Sequence, residues 1–153
     1  MTLLVDCQTH LMHAIITGRG PLPGGPDIDE LVPLLGQLPE GFRIGTIVAD
    51  AGFDSASNHR FVREEHGLTL IAPPTHGRPR KDGGPPRDVH RRTMHRLLKT
   101  PAGRKLSGYS QRWQAETVNS MIKRNLTDAL SSKRYQSQSR ELRRLAVVHN
   151  IMV

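Results

Sequence analysis

The stretch YSQRWQAETVNSMIK, Tyr109 to Lys123, decides how the rest of the chain is read. It holds neither Gly nor Pro and is dominated by good helix formers, so it predicts one α-helix continuing to about Leu130. At about 100° per residue, Tyr109, Arg112, Glu116 and Lys123 fall near 0°, 300°, 340° and 320°, inside an arc of about 60°. One phenol, two cations and one carboxylate then share a stripe. Ala115, Val118, Met121, Ile122 and Ala129 fall between about 120° and 240°, the face that a helix docked on a core must bury. A charged outer stripe is ordinarily a solvated face. This one gathers an aromatic and long cations around a single acid, which solvation alone does not require.

Charge points the same way. Twenty-two Lys and Arg against fourteen Asp and Glu give +8 with a sequence pI near 10.5. A polyanion partner follows, because neutralising phosphates releases counterions and supplies most nonspecific affinity. An RNA-binding or ribosomal protein fits that charge equally well. The 153 residues make one domain's worth of chain, with a core resting on Leu, Ile, Val and Ala, since aromatics are only 4%. The single cysteine, Cys7, cannot form an internal disulfide, and Cys-rich zinc sites are excluded. No run approaches the roughly 20 apolar residues of a membrane span, and no secretory leader opens the chain. The expected compartment is the cytoplasm.

Leu3–Asp6 and Leu11–Thr17 are short apolar runs separated by CQTH and predict a β-hairpin. His10 and His13 are read as core or surface residues, not a metal pair, since residues three apart on a strand point to opposite faces. GRGPLPGGP, residues 18–26, reads as a loop. Asp27 or Asp29 can cap a helix running to about Leu38, with Pro33 near its first turn. RIGTIVAD, Arg43 to Asp50, is a strand with a continuous apolar run, as in a parallel sheet covered on both faces. Asp50 ends it, and in open α/β sheets ligands gather beyond the carboxyl ends of strands. Asp54 or Ser55 can cap the next helix, Ser55–His66, which Gly67 stops. LTLIA, Leu68–Ala72, is another buried strand. The segment at about 73–88 is a basic loop too rich in Pro and Gly for regular structure. A helix over Asp88–Lys99 carries Arg91, Arg92 and Arg96 in a phosphate-tracking patch. Thr100–Gly108 reads as a linker, and Lys133–Val153 as a last helix whose apolar side includes Leu142, Leu145, Ala146, Val148, Ile151 and Met152. The alternation of helix and strand from Asp27 onward argues α/β architecture.

The spacing Tyr, two residues, Arg, three residues, Glu, six residues, Lys resembles the signature of the DDE transposases of the IS4 type, in which the Glu is the last of three metal-binding acids. DAGFDS with Asn58 following is similar to the second catalytic Asp segment of the same family. The resemblance extends from the first strand through LTLIAPP to the terminal RELRRLAVVHN. It implies an α/β fold of ribonuclease H-like type, a mixed sheet flanked by helices, formed by residues 1–153 as a single partial catalytic domain.

It also implies the chemistry. Asp50 and Glu116 would be catalytic metal ligands for Mg²⁺ or Mn²⁺, while Tyr109, Arg112 and Lys123 would meet double-stranded DNA at transposon ends, with a homodimer on DNA as a further expectation. Trp113, about 40° off the stripe, can stack on a base or pack inward. Asp6 ends a strand, but LLVDCQTHL resembles the second strand of the family pattern. The first strand and first acid are therefore expected to be missing, leaving a carboxyl-terminal, inactive fragment with an incomplete catalytic set. A DNA-binding product that occupies transposon ends without catalysis is the alternative, beside the basic RNA-binding protein.

Overall fold

The computed structural model describes residues 1–18, 27–74 and 84–153. The GRGPLPGGP loop, apart from Gly18, and residues 75–83 of the basic loop lie outside them. Among the described residues the chain is mixed α/β and forms two compact units, one from Met1–Gly25, Pro33–Glu40 and Trp113–Val153, the other from Pro26–Val32 and Gly41–Arg112.

The first unit is built on the expected hairpin. Strands β1 (Thr2–Val5) and β2 (Met12–Ile16) pair antiparallel, and the register slips between Leu4↔Ala14 and Val5↔Met12, so His13 is the extra residue of a bulge. Asp6 closes the turn, its Oδ1 accepting the backbone N–H of Gln8 at 2.8 Å and of Thr9 at 2.7 Å. Those backbone bonds, Thr9 first, hold its carboxyl below the usual carboxylate range. His10 adopts the left-handed conformation (φ 62°) in that turn, so it is not a strand residue.

Helices α5 (Trp113–Asn125) and α6 (Tyr135–Met152) cover the hairpin. Met12, Val118, Ile122 and Ala146 are buried together, with Leu3, Val5, Ile15, Leu126 and Leu145 around them. The helix α6 also completes the hairpin's hydrogen bonding. Asn150 accepts from the Met12 N–H at 2.9 Å and donates to the Met12 carbonyl at 2.8 Å, and Nε2 of buried His149 lies 3.0 Å from the His10 carbonyl oxygen. This changes the expected apolar side of α6. His149 is buried, whereas Val148, Ile151 and Met152 are exposed.

In the second unit β3 (Thr46–Val48) and β4 (Thr69–Ile71) form a parallel pair, which Ala49 extends by donating to the Ile71 carbonyl. The described strands therefore make two small sheets of two strands each. Helix α2 (Ala56–Glu64) packs on β4, with Ser55 as its N-cap, accepting from Asn58 N–H at 3.0 Å. Asp54 is not the cap. Gly67, at φ 67°, provides the left-handed stop that a side chain would disfavour. Helix α3 (Val89–Leu98) matches its prediction within a residue, capped by Asp88, which accepts from Arg91 N–H at 2.9 Å. Met94 and Leu98 of α3 pack with Ile71, and Tyr109 joins that cluster.

Two expectations fail here for local reasons. Helix α1 (Asp27–Leu35) places Pro33 in its second turn, where its missing N–H leaves the Asp29 carbonyl without the usual helical donor, and ends short of Leu38. Thr100–Gly108 is not a linker. It contains helix α4 (Pro101–Leu106), with Thr100 capping the Gly103 N–H at 3.0 Å and Pro101 in the first turn, where its missing donor costs nothing. Gly103 is buried because α4 lies against the end of α3, and a Cβ there would sit directly on the Leu97 carbonyl. Gly103→Ala should therefore destabilise the fold by about 1–3 kcal/mol, the cost of overpacking. Urea denaturation checks this, and an unchanged midpoint would show that α4 does not need the close approach.

Candidate functional site

Asp50 stands one residue beyond Ala49, where the parallel pair ends, and begins a 3₁₀ turn over Ala51–Phe53 without capping it through its side chain. Its carboxylate is 61% exposed. Arg112 Nη1 donates to Asp50 Oδ1 at 2.6 Å, the guanidinium side chain itself being 33% exposed. The contact arises because residues Tyr109–Arg112 form a second 3₁₀ turn that packs against β3.

That turn corrects the reading of the opening stretch. Tyr109 to Lys123 is not one helix: a 3₁₀ turn ends at Arg112, and α5 starts at Trp113 and ends at Asn125, short of Leu130. The winding tightens to about three residues per turn over Tyr109–Arg112 and relaxes to the α-helical turn from Trp113. Tyr109 and Arg112 belong to the second unit, and α5 to the first. Tyr109 packs its ring against Ile71, Met94 and Leu98. With Ala51, Pro73, His95, Lys99 and Arg104 it lines a hollow of about 380 Å³.

On α5 Glu116 and Lys123 are both exposed and, seven residues apart, lie within about 20° of each other. Val118 and Ile122 take the buried side as expected; Ala115 is exposed, and Ala129 falls beyond the helix. Glu116 lines a shallow hollow of about 300 Å³ with Trp113, Thr117, Ser120, Met121 and Arg124. Trp113 is exposed, so the inward-packing alternative does not hold for it. Arg124 is a cation that the motif spacing does not single out.

Asp54 is held from several sides, and its side chain is fully buried. Arg91 forks onto it, Nε to Oδ1 at 2.9 Å and Nη2 to Oδ2 at 2.8 Å, while His59 Nε2 lies 3.2 Å from Oδ1 and His95 Nε2 2.9 Å from Oδ2. Burial alone would raise the Asp54 pKa; the bonds from His59, Arg91 and His95 outweigh it and hold the carboxyl well below the usual range. An ionised carboxylate only accepts, so both histidines carry their proton on Nε2. Arg91 is thus a structural partner of Asp54, not a free member of the phosphate patch. The cluster links α2 to α3, and Arg60 reinforces the link by donating to Asp88 Oδ2 at 3.0 Å.

Arg92, Arg96 and Lys99 point elsewhere. Taking Arg92 as 0°, Arg96 and Lys99 fall within about 40° of it, while Met94 and Leu98 fall near 200° and 240° and Arg91 and His95 near 260° and 300°. The helix α3 is divided into a core face, an Asp54 face and an outward cationic stripe.

These features define a basic α/β protein with an acid exposed at the end of a parallel strand pair. The chain belongs to the transposase DDE domain family, whose family model matches residues 1–151. No curated protein and no solved structure matches the chain. The family comprises enzymes that cleave DNA, act on DNA ends in transposition and generally use a divalent metal. Asp50 and Glu116 supply carboxylate oxygens, the donor type that hard divalent cations take, so the residues fit the group in kind. Among the described residues no three His, Cys, Asp or Glu gather as a metal cluster, and no helix is long and apolar enough to cross a membrane.

Proposed function

We propose that the chain is part of the catalytic domain of an IS4-type transposase with a ribonuclease H-like core, and carries two of the three acids with which that domain cuts double-stranded transposon ends and transfers them to a target. The observation that carries this is the placement of Asp50: exposed, immediately past a parallel strand pair, with Arg112 at 2.6 Å, in a chain matched by the family over residues 1–151. In this reading Asp50 and Glu116 would each be a ligand for Mg²⁺ or Mn²⁺, and the metal would supply activation of the attacking oxygen and stabilisation of the leaving one in phosphodiester displacement. The protein's own side chains bind and orient the strand. Arg112 offers a fork matched to phosphate, Lys123 a point charge, and Tyr109 a rigid ring beside the strand end. Arg92 and Arg96 track phosphates along α3. The working form on DNA is a homodimer.

The test is a titration of the whole chain with Mn²⁺ and with duplex DNA carrying a transposon end. Glu116→Gln and Asp50→Asn should each lose Mn²⁺ binding and metal-dependent nicking, while DNA binding holds or improves slightly because a negative charge has gone. Unchanged Mn²⁺ binding in both variants would overturn the assignment. DNA binding by the unsubstituted chain without any metal-dependent nicking would favour a protein that occupies ends without cutting them.

A further inference from the structure

We propose that Arg112 is a positioning residue that holds Asp50 in reserve until DNA arrives, so that metal binding at Asp50 is coupled to occupancy of the DNA site. The inference rests on the reading of Asp50 as a metal ligand. Its basis is the 2.6 Å contact from Arg112 Nη1 to Asp50 Oδ1, between two residues assigned on separate grounds to the metal and to the strand. A guanidinium on that oxygen occupies an acceptor position and sets a positive charge beside it. A divalent cation drawn to the same carboxylate must displace the guanidinium or tolerate its repulsion.

Phosphate is the natural competitor for Arg112. A guanidinium pairs with a phosphodiester in the same forked manner as with a carboxylate, so an incoming strand can take Arg112 away and leave Asp50 to the metal. Exposure sets the scale. The Asp50 side chain is 61% exposed and that of Arg112 33%, and ion pairs so solvated are weak, which lets DNA open the contact at little expense of affinity. The turn that carries Arg112 is a single stretch of four residues, Tyr109–Arg112, so a small rearrangement of the side chain or of that turn is enough. Such coupling is reciprocal: whatever factor DNA adds to metal affinity, metal adds to DNA affinity.

The experiment measures Mn²⁺ binding by loss of the free-ion electron paramagnetic resonance signal, with the full chain, with and without saturating duplex DNA. Without DNA, Arg112→Ala should bind Mn²⁺ up to about fivefold more tightly than the unsubstituted chain, the value of one exposed ion pair. Arg112→Lys keeps a cation within reach and should stay near the unsubstituted affinity. DNA brings its own negative charge and tightens Mn²⁺ binding in every variant, but the increment should be smaller in Arg112→Ala by the factor already gained. Thermal melting of each variant is followed alongside, so that a change in Mn²⁺ affinity is read only on folded protein. Equal Mn²⁺ affinity in Arg112→Ala and the unsubstituted chain, or an equal DNA increment in both, overturns the proposal. Asp50→Asn separates the levels: if it weakens Mn²⁺ binding while Arg112→Ala does not tighten it, only the coupling fails, whereas no effect of Asp50→Asn removes the metal assignment itself.

Discussion

Asp54→Asn should lower the stability of the chain by about 3–5 kcal/mol at neutral pH, the cost of breaking a buried ion pair by removing one partner. The substituted amide has nearly the same volume, so packing is preserved and the loss is electrostatic. Arg91 keeps a fork with no anion to receive it, and His59 and His95 must each donate to an amide that offers one acceptor oxygen between them. The Arg91 side chain is partly exposed, which allows water to relieve some of its charge and moves the expectation to the lower end of that range. Because the folded pKa of Asp54 is depressed from an ordinary 3.8, the carboxylate contributes its stability above that value and loses it as pH falls toward the folded pKa. The gap between the two proteins should therefore be widest above about pH 5 and narrow as pH falls below about 4. Urea denaturation at several pH values reads this directly. A gap under about 1 kcal/mol at neutral pH, or one that does not narrow in acid, would show that the cluster does not hold α2 to α3.

That cluster also marks where the sequence stops being informative. DAGFDS could be placed at the end of a strand and before a helix, because Gly52, Asp54 and Ser55 are residues with strong local preferences. Local preference makes Asp54 and Ser55 equal candidates for the cap. What separates them is tertiary: α3 brings Arg91 and His95, one helical turn apart, onto Asp54. The spacing of Arg91 and His95 on a sharply delimited helix is a usable signal, since it puts two nitrogen donors on one face. Charge density alone merges them into a uniform cationic patch.

The remaining differences follow the same division. The hairpin, α2 and α3 are legible because caps, stops and apolar runs are local. The segment Thr100–Gly108 misleads because Pro and Gly usually punctuate, whereas here Pro101 opens a helix and Gly103 permits its close approach to α3. The opening stretch misleads in a subtler way. Its composition is helical throughout, but the first four residues wind as a 3₁₀ turn, and the α-helix begins only at Trp113. The position of Asp50 just past a parallel strand is legible from its apolar run, although the strand is only Thr46–Val48 and only Ile47 of it is buried, so it is not covered on both faces as expected.

The division of α3 into faces yields the last expectation, which separates charge that meets DNA from charge that holds the fold. Replacing Arg92, Arg96 and Lys99 together by Gln should leave stability within about 1 kcal/mol, since these side chains lie on the face opposite Met94 and Leu98 and surface changes are small. Duplex DNA binding should fall by about a hundredfold at moderate salt, and the slope of log affinity against log salt should decrease by roughly two to three, about one unit for each phosphate no longer neutralised. Arg91→Gln should behave in the opposite manner. It removes the fork on Asp54 and so lowers stability, while any folded fraction retains the unsubstituted salt slope. A shallower slope in Arg91→Gln and an unchanged one in the triple variant would mean that the cationic stripe faces away from the nucleic acid. The expected pattern, by contrast, would place α3 along the phosphates with its core and Asp54 faces turned inward, because only side chains whose binding releases counterions alter the salt dependence.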